Sequence, residues 1–218
     1  MRVIAIDGPA GAGKSTVAKQ VSASTGLPYL DTGAMYRCVA YAIQSKNIDI
    51  NDADAVGDIA RNAKIDIDED TARLDNVDVS SFIRSAAINS IVSVIAAHSP
   101  VRDAMRQQQR EWIITHGGGV VEGRDIGTVV FPDAILKIFL TASPMVRAQR
   151  RVGQAGGDLQ QVAAAIAERD HIDSSREDSP LRPSHDSHQV DSSEKDISDV
   201  VAEIVTLFRE KEGTTDHG

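Results

Sequence analysis

An α/β chain built on a parallel, doubly wound sheet is predicted by three features of the sequence. A short apolar run, Val3 to Ile6, passes directly into the glycine-rich segment Gly8-Pro9-Ala10-Gly11-Ala12-Gly13-Lys14-Ser15. Strand-like and helix-like patterns then alternate as far as Ser45, and two further buried strands follow in the second half of the chain. With 218 residues, 41% of them hydrophobic, the chain can bury a full core of this kind and one or two small appended lobes.

Taken in order, the first strand spans 2–7 and the helix after the loop spans 16–24. A short strand at Tyr29-Leu30 leads to an amphipathic helix from Ala34 to about Ser45. The stretch 64–84 breaks the alternation. Lys64 to Asp68 alternates at period two, Glu69-Asp70 turns, and Thr71 to Val79 alternates again with a slip near Asn76. This predicts a small antiparallel hairpin within an inserted lobe. Ser99 as cap and Pro100 in first helical position open a helix to about His116, which Gly117-Gly118-Gly119 ends. Val120-Val121 and Ile135 to Leu140 are the two later strands. Ser143-Pro144 caps a helix over 144–152, a second helix covers 159–170, and Gly153, Gly156 and Gly157 form a mobile elbow between them. After the polar stretch 173–187 come a last strand, 188–190, a last helix, 198–211, and a disordered tail over 213–218.

Charge narrows the partners. The formal net charge of −9 disfavours nucleic acid, whose backbone most faces would repel. Arginines nevertheless group between Arg102 and Arg182. Their planar forks match phosphate bidentately, so a small phosphorylated ligand in a pocket is expected. No run approaches the roughly 20 apolar residues of a membrane span. The chain enters a strand at once with no leader pattern, so a cytoplasmic protein without membrane partners is expected. Cys38 is the single cysteine, assigned to packing, and the six histidines lack ligand spacing. A monomer is expected because no apolar stripe is left over.

The segment 8–15 is a complete G-x-x-x-x-G-K-S phosphate loop between a strand and a helix. Its glycines allow backbone amides to turn inward around phosphate oxygens, and the following helix adds its N-terminal dipole. Lys14 can reach the β- and γ-phosphates, Ser15 can hold Mg²⁺, and Thr16 completes the run. A nucleoside triphosphate is implied. Asp31-Thr32-Gly33-Ala34-Met35-Tyr36-Arg37 lies at the carboxyl edge of the sheet, where Thr32 and Tyr36 share a helical face beside Arg37. It reads either as a second phosphate grip or as a capped helix with a surface arginine. Glu122, at the end of a buried strand, can orient Mg²⁺ through water or serve as a structural cap. Arg147, Arg150 and Arg151, with Arg169, Asp173 and Arg176, form two helical stripes that either face solvent or swing over a triphosphate.

Together these segments resemble the bacterial cytidylate kinase family from Val3 to Phe208. The motifs are the loop 8–15, Asp31 to Arg37, Val79-Ser-Ser-Phe-Ile-Arg84, Gly123 to Ala134, and Arg169-Asp-x-x-Asp-Ser-x-Arg-x-x-Ser-Pro-Leu181. The resemblance implies a nucleoside monophosphate kinase fold with a phosphate loop (P-loop) and a parallel five-stranded core sheet over 1–31, 117–146 and 173–212. It further implies a monophosphate-binding region over 32–116 and a short lid over 147–172. The implied reaction moves the γ-phosphoryl of ATP, with Mg²⁺, to CMP or dCMP. Lys14, Arg124, Arg147, Arg151 and Arg169 are expected to act on the transferring group. By the same resemblance Thr32, Tyr36, Arg37, Arg124 and Arg176 surround the acceptor phosphate. Ser93, Arg102 and Asp125 read cytosine, while Arg169 and Asp173 lie near the sugar. A kinase preferring UMP is the first alternative. A GTP-dependent switch or regulator is the second, although no D-x-x-G and N-K-x-D pair occurs in suitable context.

Overall fold

In the computed structural model, which describes residues 1–68 and 70–215, the chain divides into two compact units. One contains residues 1–29 and 116 onward, here the sheet unit; the other contains residues 30–115, the inserted unit.

The sheet is set by runs that are apolar on both faces, as a parallel sheet covered by helices requires. β1 (Val3–Asp7) is buried at every position, as is β6 (Gly119–Gly123). With β2 (Tyr29–Asp31), β7 (Leu136–Thr141) and β8 (His188–Asp191) they form one five-stranded parallel sheet in the order β2-β6-β1-β7-β8. Val3 to Asp7 pairs with Gly119 to Gly123, and Ile4 to Asp7 with Leu136 to Phe139. β1 is therefore central. Its own connection leads to one side of it and the β6–β7 connection crosses to the other, which places a ligand crevice at its carboxyl end. α1 (Lys14–Thr25) and α8 (Ile197–Thr215) supply Val17, Val21, Val200, Ile204 and Phe208 to the core, against Ile4, Ile6, Ile138 and Leu140.

Two helices of the sheet unit carry the arginine-rich segments. α6 (Pro144–Ala155) opens as its sequence dictates, with Ser143 accepting from Val146 N and Pro144 in the first turn. α7 (Leu159–Ser175) is capped by Asp158 and reaches five residues beyond the expected end. α8 likewise runs to Thr215, so 213–215 are helical and not a disordered tail; 216–218 lie outside the described residues.

Within the inserted unit, Asp31 caps α2 (Thr32–Ser45) by accepting from Ala34 N at 2.9 Å. Met35, Cys38, Val39 and Ala42 form its buried face. Burial pushes the Cys38 thiol up to about 12, with Asp31 adding to the effect, which suits a packing role.

Three expectations need correction here. The run 71–79 is two strands, β4 (Ala72–Leu74) and β5 (Val77–Asp78), so with β3 (Ile65–Ile67) the lobe is a three-stranded antiparallel sheet and not a hairpin. The slip near Asn76 is a two-residue turn, Asp75 and Asn76 both having positive φ (51° and 67°). The other expected turn includes Glu69, which lies outside the described residues. Two helices were not foreseen: α3 (Ala53–Asn62), capped by Asp52, and α4 (Ala86–Ile95), capped by Ser85. Finally, α5 (Ser99–His116) starts one residue early, with Val101 N and Arg102 N both donating to His98 O. Pro100 is therefore its second residue, where its missing N–H is still no loss.

Candidate functional site

The loop 8–15 leaves β1 with a turn that only glycine permits. Gly8 has φ 152°, and a Cβ there would lie 1.9 Å from Leu140 O. Gly11 and Gly13 also have positive φ, and Gly13 caps α1 in a left-handed conformation. Lys14 is buried and its Nζ donates to Pro9 O at 2.9 Å. Burial, reinforced by Arg124 and Arg169, lowers its ammonium to about 7 against the opposing pull of Glu122 and Asp173. The half-buried Arg124 and Arg169 thus lie near enough to the buried Lys14 for the three positive charges to oppose one another. Ser15 and Thr16 are exposed at the start of α1.

The loop is braced by residues far along the chain. Ala10 is held at both ends of its backbone: its N–H donates to Asp170 Oδ1 at 3.3 Å and its carbonyl accepts from Arg147 at 3.1 Å. Arg147 also donates to Ala142 O and pairs with Asp170. Arg150 reaches Ala12 O at 3.3 Å, Ser192 Oγ at 3.0 Å and Ser192 O at 2.6 Å, and Ser192 Oγ donates toward Ala12 O. Arg151, by contrast, is exposed. The expected stripe therefore has unequal members: Arg147 and Arg150 bond to the loop's main chain, and Arg151 faces solvent.

At the ends of the neighbouring strands, Glu122 is buried and accepts from the Tyr29 hydroxyl. Arg124 donates from Nε to Asp173 Oδ2 at 2.9 Å, and Arg176 lies 3.6 Å from Asp173 Oδ1 while donating to Ser179 O at 3.1 Å. Burial works to raise the Asp173 carboxyl, but Arg124, Arg176 and Arg169 outweigh it and hold it below the usual range. Asp173 thus clasps two of the expected phosphate ligands in fixed orientation. Asp125 is buried, 4% exposed, at the head of a single π-type turn, Ile126–Val130.

In the inserted unit, Thr32 is buried near the start of α2, and Arg37 donates to Gly33 O and Asn89 Oδ1, each at 3.3 Å. Ser93 is half-buried on α4, one turn after Asn89 and on the same face. Arg102 is 1% exposed, donates to Ala96 O at 3.0 Å, and stacks its guanidinium 5.6 Å from the Tyr36 ring centre. Arg84 extends toward Asp31 at 3.7 Å.

The expected residues fall into two clusters, one per unit: Lys14, Glu122, Arg124, Asp125, Arg169, Asp173 and Arg176 in the sheet unit, and Thr32, Tyr36, Arg37, Ser93 and Arg102 in the inserted unit. Sequence reasoning missed Asp7, Tyr29, Asn89, Asp170 and Ser192. Only Asp7 carried a visible signal, as an acid closing a strand otherwise wholly apolar. No helix among the described residues is long and apolar enough to cross a membrane.

A cytidylate kinase from Streptomyces avermitilis is 44% identical, with 96% of this chain and 93% of that protein aligned. A bifunctional pantoate ligase/cytidylate kinase from Prochlorococcus marinus (strain MIT 9313) is 45% identical over 95% of this chain, which spans 43% of that longer protein. This chain spans less than half the length of several such bifunctional relatives. Among solved structures, a gluconokinase from Sinorhizobium meliloti 1021 superposes with a TM-score of 0.56 at 15% identity, covering 100% of this chain and 97% of that one. That similarity shows the α/β fold alone. The cytidylate kinase family profile matches residues 4–210, and the chain belongs to that family.

Proposed function

We propose that the protein transfers the γ-phosphoryl group of ATP to CMP or dCMP, giving ADP and CDP or dCDP. The observation that carries this reading is the grouping of the half-buried Arg124 and Arg169 around the buried Lys14 of the phosphate loop. The buried Lys14 and the half-buried Arg124 and Arg169, with Glu122 and Asp173 as counter-charges, favour the arrival of a multiply charged phosphate and meet the charge that spreads over the transferring group. No protein nucleophile is needed. A CMP phosphate oxygen attacks the γ-phosphorus in line, the bond to the ADP oxygen breaks, and the protein positions and neutralises.

The loop amides and Lys14 hold the donor phosphates. Thr32, Tyr36, Arg37, Arg124 and Arg176 hold the acceptor phosphate, and Arg169 and Asp173 lie near its sugar. Ser15 and Glu122 offer one hydroxyl and one carboxylate, a hard oxygen set that fits Mg²⁺ completed by water and phosphate oxygens. Bound there, Mg²⁺ would neutralise charge on the β- and γ-oxygens. Tyr29 fixes the carboxylate that would orient its water. In the lid, 147–172, Arg147 maintains loop shape and Arg151 supplies the mobile charge.

Base choice rests on Asp125, Arg102 and Ser93. Cytosine presents an exocyclic amine that Asp125 can accept from, where uracil presents a carbonyl that would leave the carboxylate unmatched. Arg102, fixed by Ala96 O and the Tyr36 ring, donates to the ring acceptors. Initial rates with ATP and CMP, dCMP, UMP or AMP test the reading. CMP and dCMP are expected far ahead, and UMP turnover equal to CMP overturns it.

A further inference from the structure

The strand before the phosphate loop and the helix after it are both fixed. Asp7, the last residue of β1, accepts from Ile126 N at 2.8 Å and from Gly127 N at 2.7 Å, and Gly13 O receives Val17 N at 3.1 Å at the start of α1. Between them, the peptide joining Ala12 to Gly13 takes its orientation from groups beyond the loop. Ser192 follows β8 and is 4% exposed. Its N–H donates to Thr141 O at 2.8 Å, which continues the pairing of β8 with β7 and so places the side chain. The hydroxyl then lies 3.2 Å from Ala12 O and 3.0 Å from Thr141 O, and it accepts from Arg150 Nη1 at 3.0 Å. The same Nη1 is 3.3 Å from Ala12 O, while Nη2 donates to Ser192 O at 2.6 Å. The neighbouring Ser193 behaves as a turn serine does, bonding Asp191 Oδ1 at 2.6 Å. Ser192 instead reaches out of its own turn toward the loop.

We propose that Ser192, with Arg150, is a positioning residue for the donor nucleotide: by holding the Ala12 carbonyl toward α6 and the end of β8, it aims the Gly13 N–H, on the opposite edge of the same peptide, at the donor phosphates. A trans peptide is planar, so its C=O and N–H point in opposite directions and fixing one fixes the other. No peptide bond among the described residues is cis. A bond from a charged donor to the carbonyl also polarises the peptide, which makes its N–H a stronger donor to an anion. Gly13, at φ 93°, brings no side chain of its own to restrain that peptide, and a Cβ there would lie 3.7 Å from Arg150 Nη1. The inference rests on the reading of the loop as the seat of the ATP phosphates. It gives the end of β8, a strand exposed at three of its four positions, a duty in the reaction.

The test uses Ser192→Ala, which removes only the hydroxyl, and Arg150→Ala, which removes the guanidinium, so that a failure of one to fold leaves the other. Dissociation constants are measured by calorimetry, with Mg²⁺ present, for ATP, for inorganic tripolyphosphate and for CMP. Ser192→Ala loses one hydrogen bond to the Ala12 carbonyl, so binding of ATP and of tripolyphosphate is expected to weaken in parallel, about fivefold, with CMP within about twofold of wild type. Arg150→Ala also loses a charged donor and should weaken both about twentyfold. An unchanged ATP constant in Ser192→Ala, or in Arg150→Ala should Ser192→Ala not fold, overturns the proposal. So does a loss with ATP that tripolyphosphate does not share, because the two side chains would then act on the nucleoside and not through the loop. An equal loss with CMP overturns it too, since general loosening of the sheet edge would give that result. A wild type that binds ATP but not tripolyphosphate overturns the reading of the loop on which the proposal rests.

Discussion

The phosphate loop and the face formed by α2, α4 and α5 both carry groups suited to phosphate, and they are built in opposite ways. The loop is one contiguous segment whose ligating atoms are backbone amides, set by glycines and by carbonyls bonded to Arg147 and Arg150. The inserted unit uses side chains drawn from three helices, each fixed by one or two neighbours, as Arg37 is by Gly33 and Asn89 and Arg102 by Ala96 and Tyr36. Backbone recognition cannot tell one nucleoside from another, because it grips only phosphate. Side-chain recognition can be changed residue by residue, so on the proposed reading choice of acceptor resides there and at Asp125.

The sharpest way to break this contrast is at Lys14. Lys14→Ala is expected to lower kcat by about a thousandfold or more, while CMP affinity measured by calorimetry stays within about twofold. Lost CMP affinity with normal ATP binding would dissolve the division of labour. Asp173→Asn comes next, since it leaves Arg124 and Arg176 without their shared carboxylate and should cost about 3 kcal/mol of unfolding free energy in denaturant titration. Its pH dependence carries a sign. The folded-state pKa of Asp173 lies below the ordinary 3.8, so its stabilisation is complete above that value and is lost as pH falls through the depressed pKa. Wild type and variant should therefore converge in acid; a gap that widens there contradicts the account. Arg37→Ala should raise KM for CMP about thirtyfold and leave KM for ATP unchanged, and equal effects on both substrates would refute the assignment. The smallest effect is expected from Asp125→Asn, whose amide can donate as well as accept: the preference for CMP over UMP should narrow about tenfold, read from the two kcat/KM values.

The same contrast explains what could be read from the sequence. The loop was legible because its chemistry depends on local conformation, which glycine spacing announces directly. The sheet followed from runs such as Val3 to Ile6, apolar at every position. The α3 helix was not foreseen because Asp52, Asp54 and Asp58 dilute its apolar pattern, although Val56 and Ala60 sit on one face. The Asp75-Asn76 turn disguised two short strands as one irregular one. Contacts across the sheet left the least trace. Nothing near Asp7 in the sequence points to amides 119 and 120 residues away, and the helical spacing of Arg147, Arg150 and Arg151 does not reveal that two of them face the chain's own carbonyls.

The brace on Ala10 and Ala12 has a consequence for how the molecule comes into being. Residues 8–15 leave the ribosome well before the groups that hold their carbonyls and amide in place, Arg147, Arg150, Asp170 and Ser192, which lie 137 to 180 positions later. The nucleotide cradle is thus made early and shaped late. Excised as a peptide or transplanted onto another scaffold, it would carry its glycines but not its form.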